Sequence, residues 1–339
     1  MNVVFRVDAS KDIGIGHLMR CLALSEELIR RKHTCFFLSK VNNNELINRI
    51  EKNNIHYHKI TPNLSLQADL KKLIKISNEN DIDWVITDHY GINSQYIKEI
   101  KKNNLRVLSI DDTAQIHYYS DIIVNQNIGA EKLVFSSEKY SKFLLGTKYV
   151  ILRDELLQRN KRLETKKVEK ILVMFGGADP DNFTLKVLKR LESLNEYIQF
   201  IVVTGPANQF NNYILSYINK CNMDITYLRN RKKMSDVYLQ SDIAISAGGT
   251  SCYELAYFGI PTIIITIADN QVKVAQELDN RNISIYLGEK NEIKSEQLLN
   301  NIKLLINNYS LRKNMSENAK KLIDGKGKNK IINFMGNAN

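Results

Sequence analysis

The chain has 339 residues, 43% hydrophobic and 25% charged, with a formal net charge of +11; this is the composition of a globular protein long enough for about two domains. No apolar run reaches the roughly 18 residues of a membrane span, and Met1-Asn2-Val3-Val4-Phe5-Arg6 enters a strand-like stretch with no signal-peptide architecture, so a cytoplasmic location is expected. The lysines are scattered among asparagines and form no clustered footprint, which argues against nucleic acid as partner, although a positive balance would help attract an anionic small substrate.

In chain order, Val3–Asp8, Thr34–Lys40, Ile55–Ile60, Trp84–His89, Arg106–Asp111 and Ile122–Asn125 read as strands. Helical patterns lie between them, as in Leu18–Arg31, where Leu18, Cys21, Leu22, Leu28 and Ile29 share one face. Arg153 to Glu169 is heavily charged and lacks strand patterning, which marks a linker. The rhythm then restarts with Lys170–Phe175, Gln199–Thr204, Asp224–Tyr227, Ile243–Ser246, Pro261–Thr266 and Ser284–Leu287, short apolar runs suited to buried parallel strands. Ser310 to Leu322 reads as helix, and the last dozen residues as a further helix or a frayed tail. The expected fold class is therefore α/β, with two Rossmann-like doubly wound domains spanning 1–155 and 165–325, followed by 326–339. In such an architecture ligands bind at the carboxyl ends of the strands, here in an interdomain cleft.

The chemistry-bearing residues fall at those strand ends. Gly14 and Gly16 flank Ile15 in the first loop, and His17 follows at a helix start. This is not the dinucleotide fingerprint, because Met19 stands where a third glycine belongs, so a dinucleotide cofactor is disfavoured. His17 is a candidate base, with a capping or packing histidine as the plain alternative. Asp88-His89-Tyr90 closes the fourth strand: Asp88 would orient His89 or bind a sugar hydroxyl, and Tyr90 would stack on a sugar or donate to it, unless the segment merely ends a strand. Asp111-Asp112 makes a weak metal pair without a third ligand, and Asn127 is a candidate lining residue. Cys21, Cys35, Cys221 and Cys252 are far apart with no CxxC pair, so no zinc site is visible and free thiols are expected.

The second half offers three glycine-bearing loops, containing Gly177, Thr204-Gly205 and Gly248-Gly249-Thr250-Ser251. Backbone N–H groups at the helix start after Gly249, with the Thr250 and Ser251 hydroxyls, would cradle a diphosphate. Glu254, one turn further, would hold ribose hydroxyls or simply favour the helix dipole. Asp269 and Asn270 would meet the sugar, with an N-cap as the bland reading of Asp269.

Together these motifs resemble the GT-B superfamily, the second half being similar to the UDP-GlcNAc transferases of peptidoglycan assembly. Arg6-Val7-Asp8-Ala9-Ser10, Gly14-Ile15-Gly16-His17-Leu18-Met19-Arg20-Cys21, Phe175-Gly176-Gly177-Ala178-Asp179-Pro180, Ala247-Gly248-Gly249-Thr250-Ser251 and Ala268-Asp269-Asn270-Gln271 narrow the resemblance to the UDP-sugar hydrolases of pseudaminic acid biosynthesis. That family removes UDP from UDP-2,4-diacetamido-2,4,6-trideoxy-β-L-altropyranose. The resemblance implies a soluble, metal-independent bacterial enzyme with no cofactor, in which His17 activates water for inverting attack at the anomeric carbon; a monomer is expected because no extra apolar face stands out. It also assigns Asn270 and Glu254 to the substrate, Glu254 to the ribose. A GT-B glycosyltransferase is the main alternative; its peptidoglycan members carry a GGTGGH-type first loop, where this chain has Gly14-Ile15-Gly16-His17. A UDP-sugar epimerase lacks an evident carboxylate constellation, and a non-catalytic nucleotide-sugar binder would leave His17 unused.

Overall fold

The computed structural model describes residues 1–9, 15–41, 43–61, 63–157, 162, 165–194 and 196–337. The chain divides into two compact units, Met1–Arg153 with Gly325–Asn339, and Asp154–Asp324.

The first unit runs β1 (Asn2–Val7), α1 (Gly16–Arg30), β2 (Thr34–Ser39), α2 (Asn44–Lys52), β3 (His56–Lys59), α3 (Leu66–Glu79), β4 (Trp84–Asp88), α4 (Ser94–Lys102), β5 (Arg106–Ile110), β6 (His117–Tyr118), β7 (Ile122–Asn125), β8 (Ser136–Ser137) and β9 (Lys142–Leu145). Its main sheet has seven strands ordered β3-β2-β1-β4-β5-β7-β9. Every pairing in it is parallel. The near-continuous apolar strands follow from burial on both faces. Val3, Phe5 and Val7 pack into one core with Leu18, Cys21 and Leu22 of α1, whereas Val4 and Val85 join Leu73 and Ile97 in the core on the other face. Side-chain caps fix several helix starts: Asn43 accepts from Glu45 and Leu46 amides, Ser65 from Ala68 and Asn93 from Tyr96, each satisfying amides that the helix cannot.

The second unit runs β10 (Lys170–Met174), α5 (Phe183–Leu191), β11 (Gln199–Thr204), α6 (Asn211–Ile218), β12 (Ile225–Arg229), α7 (Ser235–Gln240), β13 (Ile243–Ser246), α8 (Ser251–Phe258), β14 (Thr262–Thr266), α9 (Val272–Asn280), β15 (Ser284–Glu289), α10 (Ser295–Asn307) and α11 (Tyr309–Leu322). Its six strands are ordered β12-β11-β10-β13-β14-β15, again all parallel. The segment entering this unit is pinned by arginines. Arg162 donates to the carbonyls of Ser241, Asp242 and Gly259, and Arg312 to those of Thr165 and Lys166.

The final helix, α12 (Gly327–Gly336), belongs to the first unit. Ile331, Ile332 and Met335 are buried in the same core as Phe5, Leu24, Tyr149 and Ile151. Among the described residues no helix is long and apolar enough to cross a membrane.

In each sheet the strand order reverses beside the first strand: between β1 and β4 in one unit, and between β10 and β13 in the other. At such a reversal the flanking loops diverge and leave a crevice beyond the carboxyl ends of the strands. Of the residues singled out from sequence, Gly16, His17, Asp88 and Tyr90 lie at the first and Gly177 and Gly248 to Glu254 at the second, whereas Asn127, Thr204 and Asp269-Asn270 lie at the ends of the other strands β7, β11 and β14.

Candidate active site

In the first unit, β1 leads to α1 and β4 ends on Asp88. Gly14 lies outside the described residues; Gly16 is the first residue of α1 and His17 the second. His17 is 8% exposed and Asp88 1% exposed. The His17 Nδ1 stands 2.5 Å from Asp88 Oδ1. At that separation a carboxylate oxygen needs a proton between the two atoms, so Nδ1 carries the hydrogen and donates it; in the neutral imidazole that tautomer places the lone pair on Nε2. Arg20, one helical turn beyond His17, approaches Nδ1 at 3.0 Å. Both groups are donors there, and the guanidinium's hydrogen bonds go to carboxylates instead. Its Nε donates to Asp88 Oδ2 at 2.6 Å and its Nη2 to Asp88 Oδ1 at 2.6 Å, while Nη1 and Nη2 reach Asp112 at 3.2 and 3.0 Å.

Burial works to raise the Asp88 pKa, but Arg20 and His17 outweigh it and hold the carboxyl well below the usual carboxylate range. Burial, and then Asp88 itself, push the adjacent Cys21 thiol far up, so it remains protonated. Asp112 gathers further donors: Asn127 Nδ2 at 3.0 Å and the Tyr90 hydroxyl at 3.4 Å. The Tyr90 ring meets the imidazole edge-on, centroids 4.7 Å apart, and remains 45% exposed. Asp88, Arg20 and Tyr90 thus surround one imidazole, and Asp112 and Asn127 extend the network behind Arg20.

Sequence reasoning offered His89 as a partner for Asp88; the fold separates them. His89 Nε2 pairs with Asp8 at 2.8 Å, and its Nδ1 accepts from the Gly91 amide at 2.8 Å, which fixes the proton on Nε2. Asp8 belongs to a buried cluster in which Arg6 donates to both Asp8 and Asp69, and the Tyr96 hydroxyl donates to Asp69 at 2.7 Å. Burial works to raise Asp8 as well, and His89 and Arg6 overturn this, holding it below the carboxylate range.

Arg20 and Asp112 were not singled out as site residues from sequence. For Arg20 the signal was present, because i and i+3 on a helix share a face and Arg20 is three beyond His17. From sequence Asp112 reads either as a cleft residue or as an ordinary strand end, and as a weak metal ligand; nothing there names Arg20 as its partner. Among the described residues no group of three or more His, Cys, Asp or Glu could hold a metal ion.

In the second unit, Gly248 and Gly249 follow β13, and Thr250 is the N-cap of α8 with no side-chain cap bond. A Cβ on Gly248 would fall 2.9 Å from Gln271 Cβ and 3.1 Å from its carbonyl oxygen, so only glycine fits against that turn. Gln271 Oε1 accepts from the Gly248 amide at 3.2 Å and from Ile267 at 3.0 Å, tying the Asp269-Asn270 turn to the glycine loop. The Gly248 amide is thereby used within the protein, a contact not foreseen for the loop. Thr250, Asp269 and Asn270 are exposed, and Ser251 and Glu254 half-buried. Asp269 is not the N-cap of α9, a position that Gln271 takes; it opens a 3-10 turn over Asp269–Gln271. Glu254 Oε2 accepts from the Tyr238 hydroxyl at 2.6 Å.

The other two glycine loops pack on each other: a Cβ on Gly205 would sit 2.4 Å from the Gly177 Cα. Thr204 is 1% exposed and its hydroxyl bonds Asn211 and Tyr227 at 2.8 and 2.9 Å. In this structure its side chain braces the loop.

Solved structures share this architecture. MurG of Acinetobacter baumannii superposes with a TM-score of 0.72 at 13% identity, covering 99% of both chains. The chain has the GT-B fold. Residues 170–332 match the glycosyltransferase family 28 C-terminal domain. Curated relatives include an uncharacterized protein of Methanocaldococcus jannaschii, 29% identical over 78% of this chain and 55% of the relative, so the chain spans about half the length of that protein. The spore coat polysaccharide biosynthesis protein SpsG of Bacillus subtilis is 24% identical over 96% of this chain and 95% of its own. The UDP-2,4-diacetamido-2,4,6-trideoxy-beta-L-altropyranose hydrolase of Campylobacter jejuni is 30% identical over 56% of this chain and 66% of its own.

Proposed function

We propose that this chain is a metal-independent hydrolase that releases UDP from UDP-2,4-diacetamido-2,4,6-trideoxy-β-L-altropyranose, with His17 as general base on the attacking water. The observation that carries the reading is the imidazole, oriented through Nδ1 by Asp88 at 2.5 Å and left with Nε2 as its proton acceptor. Water deprotonated there attacks the anomeric carbon, the bond from that carbon to the diphosphate oxygen breaks with inversion, and UDP departs with the electron pair. UDP needs no strong general acid once its charge is stabilised. In this reading the amides at the start of α8, with Thr250 and Ser251, meet the diphosphate, Glu254 meets the ribose, and Asn270 and Tyr90 meet the sugar. The base thus belongs to the first unit and the nucleotide to the second. The Campylobacter jejuni relative, named for this reaction, supports the substrate.

The competing reading is a glycosyltransferase, favoured by the family 28 match over 170–332, in which His17 would deprotonate an acceptor hydroxyl. Purified protein incubated with the altrose nucleotide and, separately, UDP-GlcNAc, without acceptor, distinguishes them. Rapid release of UDP from the altrose nucleotide alone, undiminished by EDTA, is expected. Absence of release from either, restored by an acceptor alcohol, would replace the hydrolase with a transferase.

A further inference from the structure

The assignment of Glu254 to the ribose leaves open what aims its carboxylate. Glu254 is the fourth residue of α8 and half-buried, on a side chain with three rotatable bonds. A freely rotating glutamate at that depth would lose rotamer entropy on gripping two hydroxyls, and that loss would weaken the grip.

The neighbouring helix supplies an anchor. Tyr238 of α7 is fully buried, its ring packed on Phe258 with centroids 5.3 Å apart. Its hydroxyl donates to Glu254 Oε2 at 2.6 Å, a short charge-assisted bond. The anchor is itself held, because α7 begins where both oxygens of Glu155 accept the Met234 and Ser235 amides at 3.2 and 3.1 Å. Tyr238 is thus a rigid donor on a braced helix, and it directs one carboxylate oxygen of Glu254.

We propose that Tyr238 is the positioning residue of the ribose site: it presets the Glu254 carboxylate and thereby sets how strongly the protein distinguishes a ribonucleotide from its deoxy analogue. The inference rests on the reading of Glu254 as the ribose ligand and extends it to a residue that would not itself touch the ligand.

The test compares UDP with 2′,3′-dideoxy-UDP by calorimetric titration of the full chain. A hydrogen bond to a charged group carries about 10- to 100-fold in affinity, so the wild-type protein is expected to prefer UDP by about that factor. Tyr238→Phe keeps the buried ring and removes only the donor, and water can reach the half-buried carboxylate in its place, so the variant should fold; a thermal scan reads this directly. It should bind UDP about fivefold or more weakly, with dideoxy-UDP changed less than twofold, so that the preference collapses. A merely structural role would weaken both ligands alike. Glu254→Gln provides the second arm: it should lose the preference on its own, and adding Tyr238→Phe to it should change the preference no further. An undiminished preference in Tyr238→Phe, or full additivity in the double variant, overturns the positioning role while leaving the ribose reading standing. Equal wild-type binding of both nucleotides removes the ribose reading itself, and with it the proposal.

Discussion

Replacing Asp88 by Asn tests the chemistry most directly, because it changes one atom in a site whose geometry dictates the result. Arg20 donates to both oxygens of Asp88, and His17 donates to Oδ1. An asparagine can present only one oxygen, and the guanidinium claims it. With that oxygen in the Oδ2 place, on Arg20 Nε, the amide NH2 takes the Oδ1 place facing His17, and an NH2 facing Nδ1 requires that nitrogen to accept. The imidazole proton moves to Nε2, and the base is lost in the place where water would use it. General-base assistance amounts to about 10²–10⁴ in rate, or roughly 3–5.5 kcal/mol of barrier; the wrong-tautomer variant of the serine-protease triad sits at the upper end of that range. We therefore expect kcat for UDP release to fall about 10²- to 10⁴-fold with KM within about threefold, since the nucleotide is assigned to the other unit. The assay is continuous UDP detection between pH 5.5 and 9. Leaving Arg20 short of a carboxylate also costs stability, about 3–5 kcal/mol for a broken buried pair, so UDP affinity and the thermal midpoint are measured alongside. A folded, UDP-binding Asp88→Asn variant whose kcat stays within about threefold of wild type would refute the orienting role.

Other expectations follow from the same contacts. His17→Ala should abolish most turnover while UDP affinity, measured by titration, moves less than about twofold; a large loss of UDP binding would contradict the division between units. Asp8 and Asp88 are both held below the carboxylate range in the fold, so the stability they supply is complete above the unfolded carboxylate pKa of about 3.9 and lost as pH falls toward their folded values. The thermal midpoint should stay nearly level from pH 7 to about 5 and drop steeply below about 4, and a level profile down to pH 3 would show that these clusters contribute little. Ile331→Ala, at a fully buried position of α12, should destabilise the first unit by about 2–5 kcal/mol in calorimetric scans; a loss below about 1 kcal/mol would mean that α12 is not integral to that core.

Much of the fold was legible because the central strands carry their evidence locally. Gln199–Thr204, Ile122–Asn125 and Ile243–Ser246 are short apolar runs, and they form strands over those residues. β9 was missed because an edge strand of four residues with half its side chains exposed has neither a continuous apolar run nor a clean alternation. The position of α12 was not readable, since its partners Tyr149 and Ile151 lie far back along the chain and its amphipathic face names no owner. The site divides in the same way. His17, Tyr90 and Glu254 stand out by residue type at strand and helix ends, but the choice of Asp88 for His17 over His89 depends on a contact 71 residues apart in sequence. Adjacent residues on a strand point to opposite faces, so Asp88 and His89 were poorly placed to serve each other, and this constraint could have been applied from sequence.

The return of α12 to the first unit also inverts the order in which the protein can be finished. Synthesis proceeds at about 5–20 residues per second, so about ten to forty seconds separate the emergence of Arg153 from that of Met335, and the second unit is made in the interval. Asp154–Asp324 is one uninterrupted stretch and can close its core as soon as it is released. The first unit, though begun earlier, must wait with the surface of Tyr149 and Ile151 uncovered until the last helix arrives. A nascent chain held in that state offers an apolar strip to chaperones or to its neighbours on a polysome.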